Sequence, residues 1–181
     1  ASHNPIEWNG LKPINHAALA PPPDAADRLI ERFNRAELDF VEPRATGRSD
    51  RHDAATDVHV DRVVDRVDRA AIARAKPRVV VDSVNGAGGE AARALCETLG
   101  VELVHLNADP TGDFPHPPEP LRENLGDLCQ AVIDHAADVG FAQDPDADRL
   151  AIVDHRGRYI GEEYSLALCA RQVIQRHQTG P

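Results

Sequence analysis

The chain has 181 residues, of which 41% are hydrophobic and 28% charged, and its formal net charge is −10. This length allows one domain of ordinary size and part of another, and the composition is typical of a soluble globular protein. Nucleic acids and anionic membranes are not expected partners, because their phosphates would repel so acidic a chain. No apolar run approaches the roughly 18 residues of a membrane-spanning helix.

The N-terminal third of the chain predicts two helices separated by a linker. Asp24 is placed to cap a helix through AADRLIERFNRAE, whose apolar residues would share one face. Residues 42–53 are polar and lack periodicity, which indicates a linker. Thr56 would cap the second helix, in which four valines follow helical spacing: Val60, Val63, Val64 and Val67.

From Arg78 onward, predicted strands alternate with predicted helices. The strand segments are RVVVDS, VELVHL, DVGFAQ and LAIVD, and the helices cover residues 88–100, 121–135 and 162–177. Strands that alternate with helices through short connections favour a three-layer α/β/α fold with a mainly parallel, mixed sheet.

The three cysteines are Cys96, Cys129 and Cys169, and no two of them are close in sequence. All three fall in predicted helices, so we expect buried free thiols in a reducing, cytoplasmic environment. The chain contains no methionine, so it is expected to begin inside a longer protein.

A glycine-rich turn follows the first strand of the alternating region. Within VNGAGGEA, Gly86, Gly88 and Ala91 match the G-x-G-x-x-[GA] dinucleotide fingerprint, between a strand and a helix. Asp109 lies near the position of a ribose-binding acid, although it follows the end of the second strand. A nicotinamide-dependent oxidoreductase is one hypothesis. The other is that the glycines only allow a tight, closely packed turn.

Alternating aspartates follow the third strand. Asp144, Asp146 and Asp148 begin like an EF-hand loop, but Arg149 and His155 stand where that loop needs Gly and Glu. Alternate positions of an extended segment share a face, and carboxylate oxygens suit Mg²⁺, which completes its shell with water and phosphate oxygens. Arg149 could engage a phosphate. A solvated acidic turn, or a metal- or phosphate-binding module without catalysis, remains the alternative.

The segment ASHNPIEWNGLKPI is a third candidate. Ser2, followed by His3 on an irregular loop, could act as a nucleophile, and Lys12 could act as an acid or base. A serine in a loop is ordinarily only a loop residue.

Together these motifs resemble the α-D-phosphohexomutases, the family of phosphomannomutase/phosphoglucomutase and phosphoglucosamine mutase. ASHNP is similar to the phosphoserine loop of that family, NGLK to the segment after it, and DPDADR to its metal loop. VVVDSVNGAGG and GDFPHPPEPLRENL resemble its second domain, so the glycine fingerprint is explained as the strand-to-helix turn of the family. Pro145 and Ala147 stand where the family commonly has glycine.

The resemblance implies a role for each candidate residue. Ser2 would carry the phosphoryl group and would bind Mg²⁺ together with the three aspartates. Lys12 would be the general acid/base, His3 its helper, and Arg149 would steady the phosphoryl group. The implied reaction is the interconversion of hexose 1-phosphate and 6-phosphate through a phosphoserine and a bisphosphorylated sugar. The FPHPPEP segment favours mannose and glucose over glucosamine.

The resemblance also implies an incomplete enzyme. Residues 1–53 would be the C-terminal remnant of a preceding α/β domain, domain 1, with the phosphoserine loop. Residues 54–181 would be domain 2, with the metal loop. Domains 3 and 4, with the sugar-selecting and distal phosphate-binding loops, would be its partners in the full-length enzyme. The 181 residues alone are therefore expected to be inactive on the hexose phosphate.

Overall fold

The computed structural model describes residues 10–37 and 39–177, which form two compact units. The first unit ends at His52 and the second begins at Asp53. This division is one residue from the predicted boundary after residue 53, while the assignment of the units to domains 1 and 2 stays a prediction.

The first unit contains helix α1 (Pro23–Asn34) and a 3₁₀ turn (Pro43–Ala45). The prediction that Asp24 caps α1 is wrong, because Pro22 is the capping residue and no side chain caps the helix. Pro23 takes the first helical position, where a missing N–H costs nothing. Asp24 therefore lies in the first turn, where it accepts a hydrogen bond from Arg28 Nη1 at 2.8 Å.

The second unit begins with two short helices, α2 (Ala55–Val64) and α3 (Arg69–Ala75). Thr56 does not cap α2, since Ala54 is the capping residue and Thr56 lies inside the helix. Helix α3 was not predicted. It begins because the side chain of Asp68 accepts a hydrogen bond from the backbone N–H of Ala71 at 2.9 Å.

A five-stranded sheet and three further helices form the rest of the second unit. The strands are β1 (Arg78–Asp82), β2 (Glu102–Leu106), β3 (Val139–Gln143), β4 (Leu150–Asp154) and β5 (Tyr159–Gly161). The helices are α4 (Gly89–Leu99), α5 (Gly126–Asp134) and α6 (Glu163–His177), with a 3₁₀ turn (Arg122–Asn124) before α5. The predicted helix over 121–135 is therefore divided, because Leu125 has a non-helical backbone conformation.

The sheet is mixed, with strand order β2-β1-β3-β4-β5. Strand β1 is parallel to β2 and β3, whereas β4 is antiparallel to both β3 and β5. The connections β3–β4 and β4–β5 are too short for the crossover that a parallel pair requires, which explains the antiparallel half. The three-layer α/β/α prediction with a mixed sheet is confirmed. The short strand β5 was not predicted.

The core lies between the sheet and α5. Leu125, Leu128 and Val132 pack with Val80 of β1 and Val153 of β4, and all five are almost completely buried. Helix α6 is exposed from Leu166 to Arg176, so the prediction of a buried thiol is wrong for Cys169. Cys96 and Cys129 are partly buried, and all three thiols are free. Within the described residues, no helix combines the length and the apolarity that crossing a membrane requires.

Candidate metal centre

The acidic segment follows β3 at a position where α/β sheets commonly bind ligands. In the sheet, β2 lies on one side of β1 and β3 lies on the other. The connection from β1 to β2 and the connection from β2 to β3 therefore run in opposite directions across the sheet. The carboxyl ends of β1 and β3 are therefore a topological switch point, outside which a crevice forms. Strand β1 ends at Asp82 and β3 ends at Gln143, and residues 144–149, the metal loop, begin directly after Gln143.

The three aspartates of the metal loop converge. One carboxylate oxygen from each of Asp144, Asp146 and Asp148 lies within 4.8 Å of the other two. Asp144 is completely buried, whereas Asp146 and Asp148 are exposed. Ala147 adopts a left-handed conformation with φ of 58°, which turns the loop between the second and third aspartate. Three hard oxygen donors, one buried and two open to solvent, fit a magnesium ion that keeps water or phosphate ligands.

The electrostatics of Asp144 favour a cation at this point. Burial raises the pKa of Asp144, and the neighbouring carboxyls of Asp146 and Asp148 raise it further. The backbone N–H of Arg149 donates to Asp144 Oδ1 at 3.0 Å and opposes that rise. A bound divalent cation would remove the repulsion among the carboxylates, so metal and protons compete for the same site.

The glycine turn, residues 83–88, contacts the metal loop directly. Ala87 N–H donates to the carbonyl of Pro145 at 2.8 Å. A Cβ on Gly86 would lie 2.6 Å from the same carbonyl oxygen, and one on Gly88 would lie 2.5 Å from Gln143 Oε1. The contact of Gly86 is with backbone, so packing against the metal loop requires a glycine there. Gly88 packs instead against side chains, with Ala147 Cβ of the metal loop 2.8 Å from where its own Cβ would lie.

A buried hydrogen-bonded chain links the same turn to β2 and β3. Ser83 Oγ donates to Gln143 Oε1 at 2.8 Å and lies 2.8 Å from His105 Nε2. Since the single hydroxyl proton of Ser83 goes to Gln143, His105 Nε2 must be the donor to Ser83 Oγ. His105 Nδ1 then carries a lone pair, and it has no hydrogen-bond partner in the part of the chain that the structure describes. Burial lowers the pKa of His105, helped by the charge of Arg93, which favours the neutral imidazole.

The buried Asp82 pairs with the partly buried His116, and the sequence analysis did not identify this pair. Asp82 Oδ2 lies 3.0 Å from His116 Nε2, and Oδ1 accepts hydrogen bonds from Val84 N–H and Asn107 Nδ2 at 2.9 Å. Burial raises the pKa of Asp82, but the three hydrogen bonds outweigh it, so the pKa is lowered overall. The hydrogen bond to Asp82 raises the pKa of His116. The available signals were an aspartate ending a buried strand and a lone histidine among prolines.

Four predicted site residues remain: Arg149, Lys12, Ser2 and His3. Arg149 is half exposed, and its Nη1 lies 3.8 Å from Glu162 Oε1. Lys12 is exposed in the first unit, where it lines an apolar hollow of about 1370 Å³ together with Ile14, Ile30 and Phe33. Ser2 and His3 lie outside the described residues, so the roles predicted for them stay predictions.

Comparison with known proteins identifies the second unit. The family model described as "Phosphoglucomutase/phosphomannomutase, alpha/beta/alpha domain II" matches residues 57–157. That range contains the glycine turn, the Asp82–His116 pair and the whole metal loop.

Similar whole proteins carry two kinds of name. A probable phosphoglucosamine mutase of Methanopyrus kandleri is 36% identical over 100% of this chain and 39% of its own length. A phosphoglucomutase/phosphomannomutase of Thermococcus kodakarensis is 35% identical over 99% of this chain and 40% of its own. The chain thus spans about two fifths of the length of these curated relatives.

A solved structure shows the same fold. The crystal structure of a phosphoglucomutase/phosphomannomutase family protein from Burkholderia thailandensis superimposes with a TM-score of 0.68 at 32% identity. The match covers 88% of this chain and 33% of that protein.

Proposed function

This chain belongs to the phosphoglucomutase/phosphomannomutase family, and we propose that it provides the phosphoserine and the metal loop of a hexose phosphate mutase. In that reaction a phosphoryl group moves from the enzyme to a hexose monophosphate, and the other phosphoryl group of the bisphosphate returns to the enzyme. The net result is the interconversion of the 1-phosphate and the 6-phosphate.

The convergence of the three aspartates is the observation that supports this proposal most directly. Their oxygens lie within 4.8 Å of one another at the carboxyl end of β3. We propose that Asp144, Asp146 and Asp148 hold Mg²⁺ together with Ser2. Mg²⁺ bound there offsets negative charge on the transferring phosphoryl group, which permits an approach between two anions.

The other roles follow from the chemistry of phosphoryl transfer. Ser2 Oγ bears the phosphoryl group and would release it to a sugar hydroxyl, whose proton passes to Lys12. The electron pair of the broken P–O bond stays on Ser2 Oγ as an alkoxide, which the bound cation would stabilise and which accepts the second phosphoryl group on its return. Arg149 follows the last aspartate of the metal loop, and its side chain is 47% exposed, so it is accessible to a phosphate. The proton returns from Lys12 to the sugar oxygen when the second phosphoryl group is transferred back to Ser2. His3 assists Lys12 in both proton transfers.

The substrate class is a hexose phosphate, with two candidate sugars. The relative named for glucosamine and the relative named for glucose and mannose are almost equally similar, at 36% and 35% identity. The preference for mannose and glucose that the FPHPPEP segment suggested has no support in these two values.

The experiment is incubation of the 181-residue protein with glucose 1,6-bisphosphate and MgCl₂, followed by intact mass and peptide mapping. We expect a gain of one phosphoryl group at Ser2, no gain in Ser2→Ala, and a strongly reduced gain in Asp146→Asn. Phosphate on another residue, or an equal gain in Ser2→Ala, would contradict the proposed role of Ser2. A protein that binds Mg²⁺ but never gains phosphate would favour a metal-binding module without catalysis.

A further inference from the structure

Among the described residues, Asp82 at the end of β1 is a buried carboxylate that lies outside the metal loop. Asp82 is 2% exposed, and both of its carboxylate oxygens take part in hydrogen bonds. Oδ1 accepts from Val84 N–H and from Asn107 Nδ2, and Oδ2 from His116 Nε2. The reaction proposed above uses none of these groups. Burying a carboxylate costs folding free energy, and hydrogen bonds to its oxygens offset that cost. The set of partners around Asp82 therefore indicates a structural or functional role.

The partner of Asp82 comes from a long segment without helix or strand, residues 107–121, called here the proline-rich loop. This loop also makes three hydrogen bonds to Asn85 of the glycine turn, and in one of them Asn85 N–H donates to the carbonyl of Asn107 at 2.7 Å. Gly112 N–H donates to the carbonyl of Asn85 at 3.0 Å, and Asn85 Nδ2 donates to the carbonyl of Asp113 at 2.9 Å. The glycine turn is therefore held against the proline-rich loop through Asn85.

The backbone of the glycine turn is in a conformation that needs such support. Val84 and Asn85 have φ values of 46° and 54°, in the left-handed region. Val84 is a β-branched residue and is completely buried, so it would not adopt this conformation without external constraint. The hydrogen bond from Val84 N–H to Asp82 Oδ1 is one such constraint. Removing His116 would leave Asp82 less firmly oriented.

The opposite side of the same turn touches the metal loop. Ala87 N–H donates to Pro145, between Asp144 and Asp146, and Ser83 Oγ donates to Gln143, next to Asp144. The position of the turn therefore sets the position of the segment that carries the aspartates. Groups that orient metal ligands without touching the metal commonly change metal affinity about 10- to 100-fold when they are removed.

We infer that His116 is a positioning residue for the metal loop: through Asp82 it fixes the glycine turn, and the turn fixes the three aspartates. This inference rests on the proposed metal site and adds to it a contact that lies outside the metal ligands. His116 does not touch substrate or metal in this account. Its contribution is the hydrogen bond from Nε2 to Asp82.

Titration of the 181-residue protein with Mn²⁺, followed by electron paramagnetic resonance of the free ion, tests the inference. We expect His116→Ala to weaken Mn²⁺ binding about tenfold. His116→Gln, whose Nε2 can donate to Asp82 in the same way, should restore most of the affinity. His155→Ala is the matched control, because His155 is exposed in the turn between β4 and β5, and it should bind like the wild type. Circular dichroism reports whether each variant is folded.

Rescue by glutamine separates positioning from a general loss of structure. Equal Mn²⁺ affinity in the wild type and His116→Ala would overturn the inference. Equally weak binding by His116→Ala and His116→Gln, with both variants folded, would also overturn it, because the hydrogen bond would then not be the cause. If His116→Ala does not fold, the inference is tested on His116→Gln. The inference then requires that His116→Gln is folded and binds Mn²⁺ like the wild type, and any other result overturns it. A wild type that binds no Mn²⁺ refutes the proposed metal site itself, and the inference with it.

Discussion

The backbone N–H of Ala87 donates to the carbonyl of Pro145 at 2.8 Å, which joins the turn after β1 to the loop after β3. The contact is possible only because Gly86, beside Ala87, has no side chain. Two motifs 58 residues apart in the sequence are thus one structural unit. The glycine turn, which alone resembles a nucleotide-binding fingerprint, supports the metal loop.

The substitution Gly86→Ala tests that relationship. The added Cβ would lie 2.6 Å from Pro145 O, against backbone rather than a flexible side chain, so the metal loop must move. We expect a loss of about 1–3 kcal/mol in the free energy of unfolding, as for overpacked sites in general, and weaker Mn²⁺ binding. Chemical denaturation and Mn²⁺ titration are the measurements. Gly126→Ala is the control, since a Cβ there meets nothing within 4 Å. A Gly86→Ala protein with wild-type values for both would refute the packing role.

The substitution Ala147→Gly should stabilise the protein. Ala147 has a φ of 58°, a conformation that costs residues with a Cβ about 1 kcal/mol and costs glycine nothing. The greater freedom of glycine in the unfolded chain offsets part of this gain, so we expect a net increase of about 0.5 kcal/mol in the free energy of unfolding. Ala73→Gly, in the middle of α3, should instead lose about 1 kcal/mol. A loss of stability in Ala147→Gly would mean that the methyl group is needed for packing near Gly88.

The Asp82–His116 pair predicts a pH dependence of stability. The pKa of Asp82 is lowered from its ordinary value of 3.8, so its contribution is present above that value and is lost as the pH falls through the lowered pKa. The pKa of His116 is raised from 6.5, so its contribution is complete below 6.5 and is lost as the pH rises through the raised pKa. The pair therefore stabilises the fold most between these two ordinary values.

The measurement is the difference in unfolding free energy between the wild type and His116→Ala as a function of pH. We expect the difference to be larger near about pH 5.5 than near about pH 9. The charge of Asp127 also raises the pKa of His116, but it contributes less than the hydrogen bond to Asp82. Asp127→Asn should therefore reduce the difference only slightly. A difference that grows between these two pH values would show that the charged pair does not stabilise the fold.

Activity of the 181-residue protein is a separate prediction. We expect no steady conversion of glucose 1-phosphate, because the resemblance assigns sugar selection and distal phosphate binding to domains 3 and 4. A coupled assay for glucose 6-phosphate is the measurement. Sustained turnover by this chain, abolished in Asp146→Asn, would show that those two domains are not required.

Local patterns predicted strands β1 to β4, because each of these four is an apolar run bounded by turn residues. Strands β1 and β4 begin where the sequence predicted, and α4 ends at Leu99, before the C-cap residue Gly100, whose φ of 71° suits glycine. The antiparallel half of the sheet depends on the length of the connections, which strand patterns alone do not show. Strand β5 has only three residues and no period of its own.

The sequence predicted the metal-binding aspartates of the site, but not the residues that position the metal loop. Alternating aspartates after a strand are visible in the sequence, whereas the Asp82–His116 contact joins residues 34 positions apart. No local pattern marks such a pair, because it forms only when the proline-rich loop passes over the end of β1. The exposure of Cys169 was missed for a related reason, since helical periodicity does not show whether another element covers the helix.

The central claim is that Asp144, Asp146 and Asp148 bind a divalent cation. Mn²⁺ titration of the wild type, Asp146→Asn and Asp134→Asn tests it most directly, because Asp134 is an exposed aspartate at the end of α5. We predict one site in the wild type and in Asp134→Asn, displaced by Mg²⁺, and affinity at least about tenfold weaker in Asp146→Asn, which lacks one ligand charge. Equal affinity in all three proteins would contradict the claim.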